Sequence, residues 1–159
     1  MKKTYNAVIL FFATGMFVGY VPLAPGTFGS IVGAALYWAA SMCLGVYQSL
    51  ALFGVMLLAG TYAAGRAEKI LGEQDSSRIV IDEVVGMYGT MLFIRPDLTG
   101  LLIGFLCFRA FDIVKPYPAS YVDRNVHGGL GVMLDDVIAG IFANVTTHVL
   151  IFLYLLVRP

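Results

Sequence analysis

Charge is what this sequence has least of. Charged residues make up 13% of its 159 positions and apolar residues 59%, against roughly 25% and 45–50% in a soluble domain. Ten basic and ten acidic residues cancel to zero net charge, so no basic surplus points to nucleic acid. Cysteine is almost missing. Cys43 and Cys107 lie in separate apolar runs at no zinc-type spacing, and are expected to be small buried hydrophobes. Histidine is as rare, and neither His127 nor His148 has a Cys or His beside it. A Gly-Lys-Ser/Thr phosphate loop is absent. The basic start Met1-Lys2-Lys3 precedes an apolar run without a convincing small-x-small cleavage site, so that run reads as retained.

What fills the space is apolar. The runs are Ala7–Tyr20, Phe28–Val46, Ser49–Ala64, Val84–Ile94, Leu98–Phe108 and Val137–Val157. A span needs about 20 apolar residues, so several are short and imply tilt, thinning or an interfacial position. The pattern predicts a single all-α membrane domain over 1–159, with about five spanning helices. Ala7–Tyr20 is expected to be a short interfacial or re-entrant helix. The spaced pairs Gly15/Gly19, Gly29/Gly33 and Gly100/Gly104 read as helix packing. Asn144-Val145-Thr146 matches a glycosylation sequon but lies within the last run, and is set aside.

Three polar stretches, 21–30, 66–83 and 109–136, interrupt these runs, and the second and third hold most of the charge. Two apolar runs separate each from the next, so all three can share one membrane face. That face carries Arg66, Lys69, Arg78, Arg109, Lys115 and Arg124, and the other carries Arg95 and Arg158. The positive-inside rule puts the shared face at the cytoplasm.

The chemistry sits in these stretches. Asp82-Glu83 interrupts the apolar surroundings Ile79–Ile81 and Val84–Met87, where unpaired carboxylates are costly. Arg109, Asp112 and Lys115 recur every three residues, a stripe along one helix face. Asp123-Arg124-Asn125-Val126-His127-Gly128-Gly129 leads into Asp135-Asp136 at the expected start of the last span. A clustered set of Asp82, Glu83, Asp112, Asp123, Asp135 and Asp136 needs cations to offset its repulsion. An all-oxygen set suits Mg²⁺, Mn²⁺ or Ca²⁺. Arg109, Lys115 and Arg124, with Arg78 as a further candidate, supply counter-charge for an anionic substrate. Pro25-Gly26-Thr27-Phe28-Gly29-Ser30 places Gly-rich backbone and two hydroxyls at a helix start, a weak anion-site signal by itself. Together these imply phosphoryl chemistry on a lipid headgroup, without deciding between hydrolysis and transfer.

Four blocks then carry a resemblance: Pro22–Ser30, Ile81–Met87, Phe108–Pro116 and Asp123–Asp136. In order and spacing they resemble the phosphatidylglycerophosphatase A family. The resemblance implies an all-helical, Mg²⁺-dependent, multi-pass enzyme of the bacterial inner membrane that dephosphorylates phosphatidylglycerol phosphate. It also implies that Asp82, Glu83, Asp112, Asp135 and Asp136 belong to the site. The expected reaction is in-line attack of water on phosphorus, with these carboxylates holding Mg²⁺. Thr27, Ser30, Arg109, Lys115 and Arg124 would bind phosphate, and His127 would serve as a candidate proton donor. A CDP-alcohol transferase would need a D-G-x-x-A-R…G-x-x-x-D-x-x-x-D pattern that is absent. A cation channel would not place three basic residues beside its acids.

Overall fold

Proline, glycine and a few polar side chains cut the apolar sequence into helices. The computed structural model describes residues 2–157. Arg158, counted above with the far face, lies outside them. The elements are α1 (Lys2–Ala13), a single 3₁₀ turn (Val18–Tyr20), α2 (Pro25–Ser41), α3 (Val46–Leu71), α4 (Ile81–Met91), α5 (Leu98–Val114), α6 (Ala119–Asn125) and α7 (Gly129–Val157). Pro25 opens α2, where its missing N–H costs nothing. Gly72 ends α3 in the left-handed conformation, φ 70°. Asp97 caps α5 by accepting from the Gly100 N–H at 2.7 Å.

Among the described residues, two helices are long and apolar enough to cross a membrane: α3 with 26 residues and α7 with 29. At a rise of about 1.5 Å per residue they reach about 39 and 43 Å. The 17 residues each of α2 and α5 give about 25 Å, and the 11 of α4 about 16 Å.

Several boundaries differ from the sequence reading. The α2–α3 turn falls at 42–45 rather than at Tyr47-Gln48, because Gln48 caps the Gly45 N–H at 2.5 Å. Cys43 lies in that turn and is exposed, and Cys107 is partly buried, so neither is the core residue expected. Gly15 and Gly19 fall in the turn after α1, not on a helix face. Gly29 and Gly33 do pack α2 on α4, against Val80 and against the Val84 carbonyl and Met87.

The short α4 is the centre of the bundle. Its Val84, Val85, Met87, Tyr88 and Met91 are buried. It lies between α2 on one side and α7 on the other, with α3 and α5 flanking. Gly26 adjoins Glu83 at one end, and the Tyr37 hydroxyl donates to the Ile94 carbonyl at 2.7 Å at the other. So α2 and α4 run parallel between two defined ends. Helix α1 packs on the later part of α3, with Ile9 and Ala13 among Ala63, Ala64 and Ala67. Tyr5 meets Tyr62 hydroxyl to hydroxyl at 2.6 Å.

Breaking α4 after 11 residues frees carbonyls deep in the bundle. Asn144 on α7 donates to two of them, Thr90 at 2.8 Å and Leu92 at 2.7 Å. A broken helix is tolerated in an apolar layer only with such replacement partners. Asn144→Leu is therefore expected to cost about 1–3 kcal/mol. Thermal unfolding in detergent should show it as a lowered Tm.

Candidate active site

Five elements converge at one end of the bundle. Helix α4 begins there, so Asp82 and Glu83 occupy its first turn, where the helix dipole favours negative charge. Helix α7 brings Asp136. It starts at Gly129, two turns earlier than the sequence suggested, so Asp135 and Asp136 are interior helix residues and not caps. The early start lets α7 approach closely: Gly129 lies against the Thr61 carbonyl and the Gly65 backbone of α3.

One oxygen from each of Asp82, Glu83 and Asp136 lies within 4.8 Å of the others. Asp136 is 3% exposed and Asp135 5%. Asp82 Oδ1, Glu83 Oε2, Asp135 Oδ1 and Asp136 Oδ2 are buried with no hydrogen-bond partner among the described residues. A buried carboxylate oxygen without a donor is strongly disfavoured. Three such residues facing one point fit a hard divalent cation with oxygen ligands.

Asp112 stands beside this cluster, its charge acting on both Glu83 and Asp136. It also accepts from Arg109 Nη1 at 2.5 Å. The same nitrogen reaches Ser30 Oγ at 3.4 Å, tying α5 to α2. Ser30 is fully buried, and its hydroxyl donates to the Gly26 carbonyl at 2.9 Å. Gly26 packs so closely on the Glu83 carboxylate and Arg109 that a Cβ there would strike them. The first polar stretch thus joins the acidic cluster, through Ser30 and Gly26. Thr27 is half-buried in the first turn of α2.

Lys115 leaves the stripe that the sequence proposed. It ends α5 at φ 45° and turns toward α6 and α7. Its ammonium bonds Asp123, and Asp135 at 2.6 Å. Burial alone would lower its pKa, but those two carboxylates outweigh burial and hold it above the ordinary lysine value. It is therefore charged at neutral pH. Asp135 accordingly belongs to a second group. Its polar pocket is lined by Asp123, His127 and Asp135, together with Glu68 and Asp75. His127 sits in this pocket rather than in the three-carboxylate cluster. Arg124, in the last turn of α6, is exposed. Arg78 is engaged by Glu73 through two bonds at 2.8 and 2.9 Å. Glu68 is a pocket residue that the sequence reading missed. Its signal is a carboxylate at the polar end of a long apolar helix.

An all-helical, largely apolar body with buried acids facing one point and an arginine beside them defines a class: helical enzymes acting on phosphorylated lipids. Comparison with known proteins narrows it. The family model described as Phosphatidylglycerophosphatase A matches residues 11–151, and the chain belongs to that family. Phosphatidylglycerophosphatase A of Escherichia coli K12 is 36% identical over 82% of this chain and 76% of its own length. The Haemophilus influenzae protein of the same name is 38% identical over 82% and 81%. A Bacteroides thetaiotaomicron protein named "Putative phosphatidylinositol-3-phosphatase" is 39% identical over 82% and 85%. No solved structure matches the chain.

Proposed function

We propose that this enzyme hydrolyses phosphatidylglycerol phosphate to phosphatidylglycerol and inorganic phosphate, in phospholipid synthesis, with Mg²⁺ held by Asp82, Glu83 and Asp136. The observation that carries the reading is that Asp82, Glu83 and Asp136 each bring a carboxylate oxygen within 4.8 Å of the others, and each has a buried oxygen without a hydrogen-bond partner among the described residues, beside the guanidinium of Arg109. A divalent cation there would neutralise the phosphate, polarise its P–O bonds and lower the pKa of attacking water.

The chain's own residues do the rest. Arg109 is fixed by Asp112 and Ser30 through Nη1, which leaves the other edge of its planar fork for phosphoryl oxygens. Glu83 is held in place by Gly26, whose missing side chain makes room for it. Lys115 and Arg124 stand nearer the second pocket and suit the rest of the anionic headgroup. His127 there is the candidate proton donor to the leaving alkoxide. Arg109→Lys keeps the charge but loses the fork, and kcat/KM is expected to fall about tenfold or more.

The two ends of the bundle support a five-passage membrane arrangement. The chain enters the apolar layer five times, through α2, α3, α4, α5 and α7, with α4 the short, protein-enclosed passage. Helix α1, 12 residues long and packed on the polar half of α3, lies at the interface. Basic residues on the site side support a site that faces the cytoplasm from the inner membrane.

The name of the Bacteroides relative supports a second substrate reading, a phosphorylated inositol lipid. Purified protein should be given phosphatidylglycerol phosphate or phosphatidylinositol 3-phosphate, with Mg²⁺ or EDTA. Phosphate release from the first, stopped by EDTA, is the expected result. Release from the inositol lipid alone would replace the substrate, and EDTA-insensitive release would remove the metal.

A further inference from the structure

Below the carboxylates lies an apolar cavity of about 740 Å³, bordered by α1, α2, α3 and α4. Its volume falls in the range of roughly 300–1,000 Å³ typical of ligand sites. Along α3 its wall runs from Leu52 to Ala63, which at about 1.5 Å per residue is about 17 Å. Half of a hydrocarbon core of roughly 30 Å is about 15 Å. The α3 wall therefore has the depth of one leaflet, and the lining continues to Cys43 and Leu44 in the α2–α3 turn, away from the carboxylates. The cavity's polar end is Ile81, the residue before Asp82. Gly60, which also lines it, packs against Met133 of α7, one turn ahead of Asp136. The mouth thus opens beside both helices that supply the carboxylates. The side wall is open: Leu36, Val55 and Tyr62 are exposed large apolar residues. A buried hydroxyl with no partner, Tyr88 Oη, belongs to the lining as well.

We propose that this cavity seats one acyl chain of the lipid substrate, entering sideways from the inner leaflet while the phosphate lies at the carboxylates. The proposal rests on the lipid phosphatase reading above. It goes further in assigning the tail a built site instead of leaving it among bulk lipids. Ala39 and Ala59 are exposed and line the cavity, so large side chains there fill the space without entering the core.

The test uses phosphatidylglycerol phosphate carrying a photoreactive diazirine at the end of one acyl chain. Phosphatidylcholine with the same chain reports ordinary boundary lipid. The expected result is crosslinking concentrated on 36–44 and 52–63 with the first lipid and not the second. Equal labelling of these segments by both lipids overturns the proposal. In parallel, Ala39→Trp and Ala59→Trp should raise KM about tenfold for a sixteen-carbon substrate at unchanged kcat. Hydrolysis of a dihexanoyl substrate should stay within about twofold of the parent. Val145→Trp, on the exposed face of α7, should change neither. An equal loss on long and short substrates would overturn the assignment, since it marks a damaged fold. If the parent protein releases no phosphate from either substrate yet the selective labelling persists, the reaction assignment fails and the chain site stands.

Discussion

Asp136→Asn should lower phosphate release by at least about a hundredfold, and should raise the Tm of the protein measured in EDTA. The two effects share one cause. Asp136 is 3% exposed, and the charges of Asp112, Glu83 and Asp135 act on it. Like charges brought together away from water destabilise the fold until a cation offsets them. Asparagine keeps the shape and removes one charge, so the cation-free fold relaxes. Binding of Mg²⁺ to the folded state should raise the parent's Tm by mass action. That increment should shrink or vanish in the variant. An undiminished Mg²⁺ increment in Asp136→Asn would mean that the cation is held elsewhere.

Gly86→Val is the second large effect, and it acts through packing. A Cβ at Gly86 would stand 2.7 Å from the Phe108 ring and 2.9 Å from the Asp136 carbonyl. Two of the three obstacles are aromatic carbons of a fully buried ring and the third is backbone, so nothing gives way cheaply. Overpacking of this kind costs about 1–3 kcal/mol, occasionally more. Valine adds two methyl groups, and its cost should fall at the top of that range. Helix α7 would have to shift away from α4, carrying Asp136 from Asp82 and Glu83. Activity should therefore fall more steeply than Tm. Unfolding curves and phosphate release from the same preparation check this. Gly86→Ala should show the same order of effects at smaller size. A variant that loses stability but keeps full activity per folded molecule would show that the α4–α7 spacing does not set the site.

Much of the site was readable before any coordinates, because unpaired charge in an apolar chain is rare and therefore conspicuous. Asp82, Glu83, Asp112 and Asp136 stand out on that ground, and the fold brings them together. The all-helical class was legible for the same reason: long apolar runs leave the backbone no other partners. The division among the acids was not legible. A period of three puts Lys115 on the Arg109–Asp112 face only if the helix continues. It stops there, and Lys115 swings to Asp123 and Asp135. Helix starts were misplaced at α3 and α7 because the sequence reading weighed apolarity over capping. Gln48, and Gly128, Gly129 and Gly131, begin those helices in polar surroundings. The role of Gly26 was hidden too. A glycine near a helix start signals a cap or an anion site, and its use here, admitting Glu83 against the backbone, depends on a partner 57 residues away.

The position of α7 also dates the site in the life of the molecule. Ser30, Asp82, Glu83 and Arg109 leave the ribosome before the helix that carries Asp136 and Asn144. Until that helix is inserted, Thr90 and Leu92 lack the amide that covers their carbonyls, and the trio of acids has only two members. If the proposed site is the active one, the enzyme's competence and the sealing of its interior are one event, the arrival of α7. A nascent chain halted before residue 136 would hold most of the helices and only two of the three clustered acids.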